Sequence, residues 1–207
     1  MVIQAVITGD IVNSTQLGKG MEKKLKERIQ QMFSTFKFEF YRGDSFQVYI
    51  KEAQMALRLS LLCRTAAIGI VPEGEPVSTD VRISIGIGKV ITPVRTLKTA
   101  KGEAFILSGR AFDEIARADK RLIISTGTPL ANEGLQVLAD YLNAIFNTMT
   151  PKQAMVIYEL LRGETQRAIA KKLKKTESTI HQRVISGHWP EIEILLKQYE
   201  NIINQLT

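Results

Sequence analysis

Residues 2–15, VIQAVITGDIVNST, decide the fold of the front half of this chain. Residues 2–8 are short and nearly all apolar, the composition of a strand buried on both faces. The strand is followed by Gly9 and Asp10 and then by a small polar loop at Asn13, Ser14 and Thr15. Working outward, Met21, Leu25, Ile29, Met32 and Phe36 recur at helical spacing after Gly18 and Gly20, which predicts one amphipathic helix. Phe38 and Phe40 alternate, as do Phe46, Val48 and Ile50, and Arg42, Gly43 and Asp44 lie between the two runs, which is a hairpin pattern. A second helix is predicted over 52–68, a strand over 81–90 with Val81, Ile83, Ile85 and Ile87 on one face, a third helix over 103–118 and a strand over 122–125. The order is β-α-β-β-α-β followed by α-β, an α+β chain with a ferredoxin-like front domain. Such a fold by itself specifies no function.

The 207 residues divide into that front domain (1–128), a connecting helix (129–148) and an all-α unit (149–207). Leu135, Leu138, Leu142 and Ile145 form one stripe of the connecting helix, so a rigid join is expected. No apolar run reaches membrane-spanning length. Cys63 has no partner for an internal disulfide, and with only His181 and His188 beside it a zinc site is excluded. The N-terminus runs into a strand rather than a secretion signal, so cytoplasmic localisation is expected. Residues 72–80 and 92–102 have the composition of flexible segments.

The second informative stretch is QRAIAKKLKKTESTIHQRV, residues 166–184. Ile169, Leu173, Ile180 and Val184 are apolar where two short helices cross, Ala170 is small at the crossing, and Thr176 with Ser178 and Thr179 makes a polar helix start. Helices are predicted at 164–173 and 177–186. With MTPKQAMVIYELLRGET upstream, residues 149–186 resemble the helix-turn-helix of sigma-factor region 4 and LuxR-type proteins, with Met155, Tyr158 and Leu161 expected to pack on the motif. Where that turn usually has a glycine and an aliphatic residue, this chain has Lys174 and Lys175. The resemblance implies double-stranded DNA as partner. Arg167, Lys171, Lys172, Lys174 and Lys175 are placed for phosphates, and Ser178, Thr179, His181, Gln182 and Arg183 for base edges. Charge agrees: the chain has 28 Lys and Arg against 21 Asp and Glu.

TGDIVNST, YRGDSF, RISIGIGKV and GEAFILSGRAFDEIARA together resemble the class III nucleotide cyclase catalytic domain over residues 3–127. The resemblance places Asp10 and Asp44 as metal ligands for magnesium or manganese with a nucleotide, Asn13, Ser14, Thr15 and Gly43 around its phosphates, and Arg110 as a phosphate contact. It also exposes departures. The asparagine expected four residues after Gly102 is Ile106, and the two purine-reading positions hold Phe40 and Thr99. Loss of a preorganised transition-state contact costs on the order of 10² in rate, so efficient adenylate or guanylate cyclase activity is not expected.

A degenerate cyclase-like domain joined to a helix-turn-helix is similar to the SatD-like family, and the similarity continues into HWPEIEILLKQYENII. There Ile192, Leu195, Leu196, Tyr199 and Ile203 form one side of a last helix, which either closes the small core or pairs with a second chain. Both halves suit a homodimer. The expected function is a DNA-binding transcription regulator with a nucleotide-sensing front domain. The alternatives are a metal-dependent enzyme acting on a nucleoside triphosphate and a protein-interaction adaptor.

Overall fold

The structure, a computed structural model, describes residues 3–41, 43–72, 74–75, 78–118 and 120–206. Strand β1 (Gln4–Val12), helix α1 (Gly18–Met32), strands β2 (Lys37–Tyr41) and β3 (Ser45–Ile50), helix α2 (Ala56–Ile68) and strand β4 (Asp80–Gly88) follow one another, and α3 (Glu103–Ala118) and β5 (Leu122–Thr126) add one more unit. The sheet order is β2-β3-β1-β4-β5, antiparallel except for the β4–β5 pair. Each crossover skips one place that a strand of the other crossover fills, which is the split arrangement expected from the sequence.

Alternation assigns the two faces of the sheet. Ile7 lies opposite Val48 and Ile85, and Ala5 opposite Ile50 and Ile87, so these side chains meet α1 and α2 in one core. Phe33, Phe38, Phe40 and Phe46 close one end of it with ring centroids 4.9–6.1 Å apart. Helix α3 packs on β1, β4 and β5. It approaches closely because Gly86 has no side chain: a Cβ there would lie 2.2 Å from the Ala104 carbonyl oxygen and 2.3 Å from the Ser108 nitrogen. The outer side of β2 and β3 is met instead by the segment that contains a 3-10 turn at Leu97–Thr99, with Leu97 buried.

Five helices follow: α4 (Pro129–Asn147), α5 (Pro151–Leu161), α6 (Gln166–Leu173), α7 (Glu177–Ser186) and α8 (Trp189–Gln205). The α4 stripe is buried as predicted. Helix α5 starts at a capping box between Thr150 and Gln153, with Pro151 in its first turn, and lies along α2. Helix α8 does more than close a small core, because it returns to the front half, where the Tyr199 hydroxyl donates to the Ala53 carbonyl at 2.8 Å. One buried cluster therefore runs from the sheet through α2 into α5, α7 and α8. A buried ion pair fastens the same region: Arg64, fully buried on α2, is forked by Asp80 and also donates to Asn143 on α4 at 3.2 Å.

The structure shifts several expected boundaries. Strand β1 continues to Val12, since both neighbours extend its ladder past Gly9, so Asp10 sits inside the strand rather than at its end. Helix α1 stops at Met32, leaving Phe36 beyond it, edge-on to Phe33 at 6.1 Å. Helix α6 begins at Gln166, because the Thr165 hydroxyl caps the Ala168 N–H at 3.2 Å. Arg42 of the hairpin turn and residues 73, 76 and 77 of the 72–80 segment lie outside the described residues. Among the described residues, no helix is long and apolar enough to cross a membrane.

Candidate functional site

The sheet positions the acidic pair. Asp10 lies opposite Ser45 on β3 and opposite Arg82 on β4, and Asp44 immediately precedes Ser45. The Ser14 hydroxyl, almost buried, donates to Asp44 Oδ2 at 2.6 Å. Asn13 takes a left-handed conformation, φ 57°, and its amide donates to the Ser78 carbonyl at 2.8 Å. Thr15, in a 3-10 turn at Ser14–Gln16, and Gly43, with φ 91°, are both exposed beside them. The fold thus gathers the loop after β1 and the β2–β3 hairpin at one end of the sheet.

Arg82 is the residue that sequence reasoning missed. Its Nε donates to Asp10 Oδ1 at 2.9 Å and its Nη2 to Asp10 Oδ2, a bidentate fork on a largely buried carboxylate. A signal was present: in the strand VRISIGIG, Arg82 interrupts an apolar run at the alternation that faces away from the α1–α2 core. The fork bears on metal binding. A divalent ion needs anionic oxygens with free lone pairs, but both oxygens of Asp10 are engaged by a guanidinium whose charge opposes a second cation. No group of three or more His, Cys, Asp or Glu is gathered for a metal among the described residues. As they stand, the residues do not fit a divalent ion. Arg110 is exposed on α3 and bonds to neither carboxylate.

The second region is the pair α6–α7. Thr165 and Thr176 cap the two helices through their hydroxyls, to Ala168 at 3.2 Å and to Thr179 at 3.1 Å. Between them Lys174 adopts φ 51°, ψ 48°, and the Lys175 N–H closes onto the Ala170 carbonyl at 3.0 Å. This is the left-handed turn that a glycine normally makes, held here by a lysine. Ile169, Ala170, Ile180 and Val184 are buried at the crossing and Leu173 is half-buried. Gln153 of α5 donates to the Ser186 carbonyl at 2.9 Å and so anchors the end of α7.

That packing leaves one face of the pair outward. Arg167, Lys171, Lys174, Lys175, Ser178, His181 and Gln182 are exposed, whereas Thr179 and Arg183 are half-buried. The Thr179 hydroxyl is within 2.9 Å of Thr176 and belongs to the cap. Arg167, Lys171, Lys175 and Glu177 border a concavity of about 540 Å³. Lys172 differs from the other basic residues expected on phosphates: its ammonium pairs with the buried Glu159 of α5 at 2.8 Å and ties α6 inward. Tyr158 lies under the Arg28 and Arg162 guanidiniums, at 5.6 and 5.8 Å, and Met155 stands against Gly69, so both also meet the front half, while they border one cavity with Lys172 and Leu173 of the motif.

Comparison with known proteins adds the following. No family model matches the chain, and no curated protein matches it in sequence. Among solved structures, it is similar to a bacterial light-regulated adenylyl cyclase, with a TM-score of 0.40 and 17% identity over 60% of this chain and 43% of that one. It is also similar to the active GGEEF domain of a diguanylate cyclase from Vibrio cholerae, with a TM-score of 0.41 and 13% identity over 61% of this chain and 83% of that one. The chain spans less than half of the light-regulated cyclase. Likeness at this level assigns no activity.

Proposed function

We propose that this protein binds double-stranded DNA through α6 and α7 and acts as a cytoplasmic transcription regulator. The observation that carries the reading is the charge left on the outward face of this pair. Arg167, Lys171, Lys174 and Lys175 form no ion pair with any described residue, while Lys172 and Arg162, a short distance away, share the carboxylate of Glu159. Unpaired cations around a capped helix pair suit a phosphate backbone, and α7 offers Ser178, His181 and Gln182 to the major groove. A homodimer is part of the proposal. Leu130, Val137 and Tyr141 on α4 are 78%, 71% and 48% exposed and share one helix face, an apolar surface that a second copy would cover. A metal-bound nucleotide at Asp10 and Asp44 has no place in this reading while Arg82 holds Asp10.

The test is a salt titration of duplex binding by fluorescence anisotropy. Four phosphate contacts per protomer, eight in the homodimer, give a slope of log K against log salt of about −7. Lys175→Ala, which removes one contact from each protomer, should reduce its magnitude by about 2, whereas Gln182→Ala should change preference among duplexes and leave the slope intact. Absence of binding at low salt, or a slope unchanged in Lys175→Ala, would reject the interface and leave an adaptor role as the better reading.

A further inference from the structure

A cavity of about 720 Å³ lies between the front half and the motif, walled by α1 and α2 on one side and by α5 and α6 on the other. Its volume is that of a small-molecule site. Three cations from three elements line it, Arg28 of α1, Arg162 at the C-terminal cap of α5 and Lys172 of α6, and Glu159 is the one acid among the described residues of the wall. Short contacts chain these charges together. Arg162 and Lys172 sit on the two oxygens of the Glu159 carboxylate, at 3.3 and 2.8 Å, and Arg28 and Arg162 share the Tyr158 ring, at 5.6 and 5.8 Å. One carboxylate cannot balance three cations. Arg28 forms no ion pair with any described residue, and the residues one turn away on α1 are Lys24, Leu25, Gln31 and Met32, none of them acidic. The cations are also within reach of a ligand. Arg28 is exposed, and the Arg162 and Lys172 side chains are 46% and 49% exposed against 8% for Glu159, so the acid is covered while N–H donors around it stay open.

Their chemistry defines the ligand. Guanidiniums offer paired N–H donors that match phosphate oxygens, and a lysine adds a mobile point charge. A dianion matches the positive surplus left after Glu159. Met32, Met155 and Leu173 line the same cavity, and Met155 is 41% exposed, so an apolar body finds surface to cover. We propose that this cavity binds a small phosphate monoester with an apolar body, held by Arg28 from one wall and by Arg162 and Lys172 from the other. Such a ligand touches the front half and α6 at once and ties the motif to the domain beside it. Neither Asp10 and Asp44 nor the outward basic residues of the motif line the cavity, so binding here is independent of the DNA interface.

The experiment is isothermal calorimetry of the full chain at fixed ionic strength, with phenyl phosphate as probe and inorganic phosphate for comparison. Phenyl phosphate is expected to bind, and inorganic phosphate to bind about tenfold more weakly because it covers no apolar wall. Arg28→Gln and Lys172→Gln, on opposite walls, should each weaken phenyl phosphate binding by about tenfold. Lys171→Gln, next in sequence but outside the cavity, should leave it unchanged. Arg28 is exposed and holds no ion pair among the described residues, so its variant carries the test even where Lys172→Gln loosens α6. No binding at millimolar phenyl phosphate, inorganic phosphate binding as tightly, undiminished binding in Arg28→Gln, or an equal loss in Lys171→Gln would each overturn the proposal.

Discussion

Removing Asp80 should cost this protein roughly a third of its stability. Arg64 is fully buried, and its guanidinium is held by three contacts to the Asp80 carboxylate at 2.6, 3.1 and 3.2 Å, by the Asn143 amide oxygen at 3.2 Å and by the Phe146 ring at 4.6 Å. In Asp80→Ala the charge stays buried with one neutral acceptor and a ring. Breaking a buried pair from one side costs about 3–5 kcal/mol, against the 5–15 kcal/mol by which such domains are stable. Asp80→Ala also removes the acceptor of the Val81 N–H, 2.7 Å away, which places the loss toward the upper end. The double variant Arg64→Met, Asp80→Ala should recover most of it, since a buried pair replaced as a whole by apolar groups is often neutral. Urea unfolding followed by far-UV circular dichroism gives all three stabilities, and the double-mutant cycle should show coupling of about 3 kcal/mol. A loss below about 1 kcal/mol in Asp80→Ala, or a double variant no more stable than the single one, would refute the reasoning.

Three further outcomes follow from particular residues. Lys174→Gly should raise stability by about 0.5–1 kcal/mol, because a lysine at φ 51° bears the left-handed penalty that glycine escapes; lower stability in urea unfolding would contradict this. Burial holds the Tyr199 phenol above its ordinary range, while the unfolded chain ionises near pH 10. The folded state therefore binds more protons, so stability present below pH 10 is lost as pH rises above it, by up to about 1.4 kcal/mol per pH unit. Tyr199→Phe should flatten that slope between pH 10 and 11, even though it gives up the bond to Ala53. Burial likewise pushes the Cys63 thiol up, so a colorimetric thiol reagent should react only as fast as the protein opens, and rapid labelling in native buffer would show that α2 is not packed as described.

Much of the fold was legible in the chain because it is written in local periodicity. The alternation of Phe38 and Phe40 and of Phe46 and Val48 gave the hairpin, and the structure sets its register, with Phe38 opposite Val48 and Phe40 opposite Phe46. The spacing of Leu135, Leu138 and Leu142 marked the buried stripe of α4. At the acidic pair, residues 10–15 and 43–44 were expected together from the family resemblance, and the sheet order, which sets β1 beside β3, is what brings them there. The contact of Tyr158 with Arg28 was not legible for the opposite reason: a helix with apolar residues on more than one side does not say which side meets which neighbour.

What the sequence by itself determined is the order of elements, their caps and the basic outward face of α6 and α7, all set by contacts within a few residues. Thr165, Thr176 and the Thr150–Gln153 box act over three positions, so propensity and hydrogen bonding decide them locally. Only the tertiary structure decided the fate of the charged groups. Arg82 meets Asp10 across 72 residues, Arg64 meets Asn143 across 79 and Lys172 meets Glu159 on another helix. Such pairs carry no periodic signature, because each is made by the sheet register and helix packing that place two distant residues side by side. The difference bears on the proposed interface: those contacts hold one set of charges, and leave Arg167, Lys171, Lys174 and Lys175 exposed with no ion-pair partner among the described residues.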